Sequence, residues 1–260
     1  MRALSIAKFE EGIIDEDAAI AKKEVIAVSD GAGGGGVFAE CWARHLVEHL
    51  PDKPIKNYKT FDKWIDGIWE PFYNEYEENA KAVGGMFLNK FYDEGSFATL
   101  VAVWKGGQWV SYGDSVAFCY NKITGELQHS FTRLSDFNNP PYLINCKDPL
   151  DEKGFRCGKF KVTKDCVIFA SSDTLAHYIL MMYELDNKDC YENELKEAIE
   201  AQTKNSNYIR TAMSLVPIYF ARRVMDKIES CTHDFLLRSH IKGLKKKGLI
   251  GHDDYSLAIM

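Results

Sequence analysis

The side chains in this sequence best placed to do chemistry are acids that stand where apolar runs begin or end. Glu16 and Asp17 precede a run of strand character, and Asp30 directly follows its apolar stretch, Val25-Ile26-Ala27-Val28. Asp114 follows a β-rich run in Ser111-Tyr112-Gly113-Asp114-Ser115, Asp173 follows Val167 to Ser172, and Asp253 and Asp254 precede the final run. Taken singly, each is an ordinary turn residue or helix cap; Asp173 suits the cap of a helix beginning near Leu175. Gathered at one end of a sheet, such carboxylates repel one another and resist burial unless cations neutralise them. An all-oxygen donor set selects hard ions such as Mg²⁺ or Mn²⁺.

Other motifs compete for attention. Gly31, Gly33 and Gly36 satisfy G-x-G-x-x-G after a strand and before a helix, the spacing of a dinucleotide-binding turn. The acid expected about 20 positions on should end a second strand, yet Asp52 lies in Leu50-Pro51-Asp52-Lys53-Pro54, which has no strand pattern. A P-loop needs Lys followed by Ser or Thr after Gly36, where Val37-Phe38 stands. The glycines are left as a plain strand-to-helix turn, or as backbone that passes close to a metal or phosphate beside Asp30. His45-Leu46-Val47-Glu48-His49 has the H-x-x-E-H spacing of inverted zinc peptidases, but both histidines fall on the flank of an apolar helical stripe. Seven cysteines show neither C-x-x-C spacing nor an arginine six residues on. That excludes a zinc ribbon and the cysteine-based phosphatase loop, and predicts free thiols in a reducing compartment.

The elements that must position the acids follow from periodicity. Residues 3–9 and 18–29 read as strands; Phe38, Cys41, Trp42, Leu46 and Leu50 recur at helical spacing until Pro51. The 51–94 stretch holds another helical region, with Phe61, Trp64, Ile68 and Phe72 on one face. Residues 96–105, 108–121 and 126–133 are β-rich and joined by Gly106-Gly107 and Thr124-Gly125 turns. Residues 136–158, with Pro140-Pro141 and Gly154, read as an irregular flap or surface loop. A short apolar strand at 167–170, a mainly helical stretch over 174–247 and a last strand at 255–260 complete the chain. Strands at both ends with helical blocks between them predict a layered α+β fold, one domain over 1–260, with the terminal strands paired.

Charge narrows the function. Thirty-eight acids against thirty-two bases give a formal −6, which argues against nucleic-acid binding, since that needs a basic footprint. No apolar run approaches the roughly 20 residues of a bilayer span, and the N-terminus reaches Lys8 before a secretory apolar region can form. The expectation is a cytoplasmic protein without a membrane partner.

Six short motifs in order carry a resemblance: Asp15-Glu16-Asp17, Ser29-Asp30-Gly31-Ala32-Gly33-Gly34, Gly95-Ser96-Phe97-Ala98-Thr99, Gly113-Asp114-Ser115, Ser171-Ser172-Asp173 and Asp253-Asp254-Tyr255-Ser256-Leu257. Together they resemble the metal-dependent protein phosphatases of the 2C type, over nearly the whole chain. The resemblance implies a four-layer α-β-β-α sandwich, in which a central antiparallel β-sandwich is flanked by helices. It implies a hydrolase acting on phosphoserine and phosphothreonine in a phosphorylated protein partner. It also implies two Mg²⁺ or Mn²⁺ ions, bridged by Asp30, with the Gly31 carbonyl on one and Asp173 and Asp253 on the other. Glu16 and Asp17 would act mainly through metal-bound water, and Asp114 is the candidate for a third, weaker ion. Paired divalent ions generate hydroxide near neutral pH from a water that bridges them and offset phosphoryl charge, which needs no cysteine. Two such ions would take the formal −6 to about −2.

The sequence departs from the family pattern at the phosphate. Glu11-Gly12-Ile13-Ile14 fills the stretch where an arginine is usual, so Lys8 is the first candidate for that cation, ahead of Arg133 and Arg156. Thr174 follows Asp173 in place of glycine, His177 takes the position of a further aspartate, and Asp254 takes that of an asparagine. These changes motivate an alternative: a phosphatase-like binding or regulatory module with little activity. Oligomeric state is not encoded in any readable feature.

Overall fold

The strands owe their depth to small and branched residues that can be covered on both faces. In the computed structural model, which describes residues 1–34 and 36–260, β1 (Arg2–Ile6), β2 (Ala18–Ala21) and β3 (Val25–Ser29) come first. The 18–29 run is thus a hairpin, not one strand: Lys22, Lys23 and Glu24 turn the chain, and the Lys22 N–H donates to the Val25 carbonyl at 2.8 Å. Next come α1 (Ala39–Glu48), α2 (Tyr58–Asp66), α3 (Trp69–Val83) and α4 (Gly85–Glu94). The single helical region expected over 51–94 is three helices, separated at Gly67-Ile68 and at Gly84, which takes φ 71°.

The middle of the chain is β4 (Phe97–Ala98), β5 (Leu100–Trp104), β6 (Gln108–Tyr112), β7 (Val116–Asn121), β8 (Leu127–His129), β9 (Ile144–Asn145), β10 (Phe155–Lys159) and β11 (Cys166–Ser171). Then α5 (Asp173–Asp186), α6 (Glu192–Glu200), α7 (Lys204–Met213), a π-helical turn at Ala221–Met225, α8 (Asp226–Ser230) and α9 (Asp234–Lys246) precede β12 (Tyr255–Ile259). The expectation of an irregular 136–158 needs correction. It contains β9 and most of β10, and β10 pairs with β6 from Phe155↔Tyr112 to Lys159↔Gln108. As an edge strand, β10 keeps polar residues exposed, and Gly158 lies where a Cβ would strike the Trp109 ring. Its sequence therefore lacks the apolar signal of a covered strand.

Two antiparallel five-stranded sheets result, ordered β1-β12-β11-β7-β8 and β10-β6-β5-β3-β2. The chain ends pair as expected, from Arg2↔Ile259 to Ile6↔Tyr255. Alternation along the strands assigns the faces. Ile26, Val28, Val101, Val103, Ala117, Cys119, Ile168, Ala170 and Ala258 fill the space between the sheets. Val25, Ala27, Leu100 and Trp104 point the other way, to Trp42, Leu46, Phe61 and Phe72 of α1–α3. Val116, Phe118, Phe169 and Leu257 pack on α5, whose residues from Leu175 to Leu185 are all buried, and on α9. The outcome is the expected α-β-β-α layering.

Candidate metal centre

The strand ends meet at one edge of this sandwich. Asp30 leaves β3, Asp114 sits in the turn from β6 to β7, Asp173 opens α5 directly after β11, and Asp253 lies just ahead of β12. With Glu16, which precedes β2, these five acids line one cleft of about 290 Å³, together with Gly31, Ala32, Gly33, Gly34 and Thr99. Pro141 and Leu143, from the segment between β8 and β9, form an apolar wall of the same cleft. Asp17 lies beneath, 6% exposed, with Oδ2 buried and unpartnered.

Backbone and hydroxyl groups hold this arrangement. Thr99 accepts from the Asp30 N–H at 3.2 Å, returns its own N–H to the Asp30 carbonyl at 2.8 Å, and shares a 2.7 Å bond with the Ser115 hydroxyl. Gly31 donates to the Glu16 carbonyl at 3.1 Å, and a Cβ there would come within 2.9 Å of the Ala39 backbone. The glycine is required by close backbone approach. A Cβ on Gly33 would overlap the Glu16 carboxylate, so that glycine also keeps the cleft open. Gly35 lies outside the described residues.

The role of Asp254 is one that sequence reasoning passed over. Its two carboxylate oxygens accept from the Lys8 N–H at 2.7 Å and the Glu16 N–H at 2.8 Å. An asparagine would turn an amide donor toward one of those N–H groups. Asp254 therefore ties the Glu16 segment to β12.

The electrostatics are those of gathered like charges. Burial raises Asp30 well above the usual carboxylate range, and Asp17, Asp173, Asp114 and Asp253 add to it. Burial, then Asp15, does the same to Asp17. Asp114 is pushed up to about 8 by burial and by Asp173, and Asp173 to about 6 by burial and by Asp253. Glu16 and Asp253 are also raised, mainly by burial.

Two cations border the group. Lys8 Nζ is 3.8 Å from Glu16 Oε2; burial pulls its pKa down, but Asp254, Glu16 and Asp253 raise it on balance. Arg156, on β10, donates to the Gly113 carbonyl at 2.6 Å and stacks 4.9 Å over the Phe131 ring, within the field of Asp114. Arg133 is instead held at the surface by Asp136 and Glu197. The histidines of the peptidase-like motif stand apart: His45 Nε2 is hydrogen-bonded to the Ile68 carbonyl at 2.9 Å. His177 is buried near Phe137 and Tyr208, with Nε2 unpartnered.

Among the described residues, no three His, Cys, Asp or Glu side chains already close on one point as a ligand set. The carboxylates line the walls of the cleft instead. The donor chemistry nonetheless fits hard cations: all donors are oxygens, one buried carboxylate oxygen lacks a partner, and the mutual repulsion is of the kind a cation relieves.

No family model and no curated protein sequence matches this chain. Solved structures do. The catalytic domain of the serine/threonine protein phosphatase PstP in complex with 2 manganese ions aligns over 99% of this chain and 95% of its own, with 14% identity and a TM-score of 0.52. The Mycobacterium tuberculosis serine/threonine phosphatase PstP/Ppp aligns over 99% and 96%, with 14% identity and a TM-score of 0.53. A bacterial serine phosphatase carrying a point mutation aligns over 100% and 96%, with 12% identity and a TM-score of 0.50. The chain has the fold of the 2C-type Ser/Thr phosphatases.

Proposed function

We propose that this protein is a Mg²⁺- or Mn²⁺-dependent phosphatase that hydrolyses phosphoserine or phosphothreonine in a protein substrate. The observation that carries the reading is the convergence of Glu16, Asp30, Asp114, Asp173 and Asp253 on one cleft. Asp30 and the Gly31 carbonyl would hold one cation, and Asp30, Asp173 and Asp253 the other. Glu16 and Asp17 would bind through water, and Asp114 would serve a third ion. Bound, such ions lower the pKa of water and neutralise phosphoryl oxygens. The chain's own task is then to orient the phosphate and limit water. Lys8 and Arg156 flank the acids and supply the positive charge for that orientation, while Pro141 and Leu143 cover one side.

The test is p-nitrophenyl phosphate hydrolysis with Mn²⁺, with and without EDTA, beside Asp30→Asn. Mn²⁺-dependent turnover that falls by roughly 100-fold or more in the variant is expected. Turnover independent of metal, or untouched by the substitution, overturns the enzyme reading. Mn²⁺ binding by calorimetry without any turnover selects the alternative, a phosphatase-like binding module, which the absent arginine motivates.

A further inference from the structure

On the outer helical layer, α5, the Ala221–Met225 turn, α8 and α9 enclose an open cavity of about 660 Å³ that shares no lining residue with the carboxylate cleft. Its inner wall is apolar, made by Met182, Leu215, Leu244 and Leu249. Its rim is basic: Arg222, Arg223, Lys227 and Lys247 line it against one acid, Asp226. Among the described residues, none of these four cations has a carboxylate within ion-pair distance. Glu229, the other acid of that helical turn, is engaged with Lys122. His240 also lines the cavity; its ring meets Tyr178 edge-on at 6.4 Å, and its Nε2 is buried without a partner. Burial, then the charges of Lys227 and Lys247, hold this ring neutral, its pKa down to about 4.

Unpaired like charges around a concave wall focus a positive potential, and a multiply charged anion relieves their repulsion. The volume is that of a small-molecule site, and an apolar wall beneath a charged rim suits a ligand with two unlike ends. We propose that this cavity binds a small molecule that joins several phosphate charges to a planar apolar body, the class of a nucleoside polyphosphate. The phosphates meet Arg222, Arg223, Lys227 and Lys247, and the body lies along Tyr178, His240 and Leu244.

Calorimetric titration of the full chain with adenylyl imidodiphosphate, Mg²⁺ present, tests the site. Saturable binding of one equivalent is expected, weakened about tenfold or more in Lys227→Gln/Lys247→Gln and again in the independent pair Arg222→Gln/Arg223→Gln. Added salt should weaken it, because the rim is exposed. Asp30→Asn should bind as tightly as the parent chain. Inorganic triphosphate should bind more weakly than the nucleotide; equal affinity removes the planar body and overturns the assignment of ligand class. No saturable binding overturns the proposal. So does binding that survives both paired substitutions, or that Asp30→Asn abolishes, since the ligand would then lie in the carboxylate cleft. None of these outcomes depends on whether the cleft hydrolyses phosphate.

Discussion

The carboxylate cleft and the basic cavity each gather charges of one sign, but they handle the repulsion differently. In the cleft, short acidic side chains are fixed at strand ends and partly withdrawn from water, so repulsion appears as raised pKa values at Asp17, Asp30, Asp114 and Asp173. In the cavity, long side chains leave the helical layer and are exposed, so water and salt screen them. Burial turns a like-charge cluster into a strong demand for counter-ions; exposure leaves only a preference for them. Metal should therefore matter greatly to the cleft, and salt to the cavity.

The largest expected effect separates the two sites. Mn²⁺ at one hundred times its Kd should stabilise the folded chain by about 2.7 kcal/mol, a rise in Tm of about 5–10 °C for a chain of this size. Differential scanning fluorimetry with and without EDTA measures it. A Tm indifferent to Mn²⁺, or a shift equally large in Asp30→Asn, breaks the contrast.

Next is the clamp beneath the cleft. Asp254→Asn should cost about 1–2 kcal/mol, because one partly buried N–H of Lys8 or Glu16 loses its acceptor, and it should raise the Mn²⁺ concentration needed for half-maximal turnover. Urea unfolding and a metal titration read the two effects, and a variant identical to the parent in both removes Asp254 as a positioning residue.

The smallest effect sharpens the comparison with a buried acid that lacks the cleft's cluster. Glu184 in α5 is 3% exposed with Oε2 unpartnered, and burial, then Glu194, raises its pKa to about 8. Unfolded, a glutamate titrates near 4.3. Between these values the folded protein keeps a proton that the unfolded chain releases, so stability falls as pH rises through this window. Glu184→Gln removes that slope. Measured by urea unfolding at pH 5 and pH 6.5, the variant should gain on the parent by on the order of 2 kcal/mol, with no change in Mn²⁺ response. A gain that does not grow with pH contradicts this account of Glu184.

Much of the fold was legible because covered strands leave a plain trace. Val25 to Val28 and Val167 to Ala170 are apolar at every position since both their faces are buried, one by the opposite sheet and one by helices. Edge strands leave none: β10, with Arg156, Cys157 and Lys159, was hidden inside an apparent loop. The hairpin at Lys22–Glu24 was equally hidden, because a tight turn of charged residues between two apolar runs does not interrupt the β pattern enough to be seen. Of the site, the acids at strand ends could be picked out by residue type and position. Arg156 could not be told apart from Arg133, since its approach to Gly113 depends on the pairing of β10 with β6.

The sequence by itself determined which strands would be deeply buried, where they would stop, and that carboxylates would stand at those stops. These are local properties, set by hydrophobic periodicity and turn chemistry over a few residues. Only the tertiary structure decided that Glu16, Asp30, Asp114, Asp173 and Asp253 share one cleft, that Asp254 joins the two ends of the chain beneath it, and that four cations from Arg222 to Lys247 line a cavity elsewhere. The reason is distance along the chain. Charges more than two hundred residues apart interact only once two sheets have stacked through the small side chains between them, and that packing belongs to the whole fold rather than to any one segment.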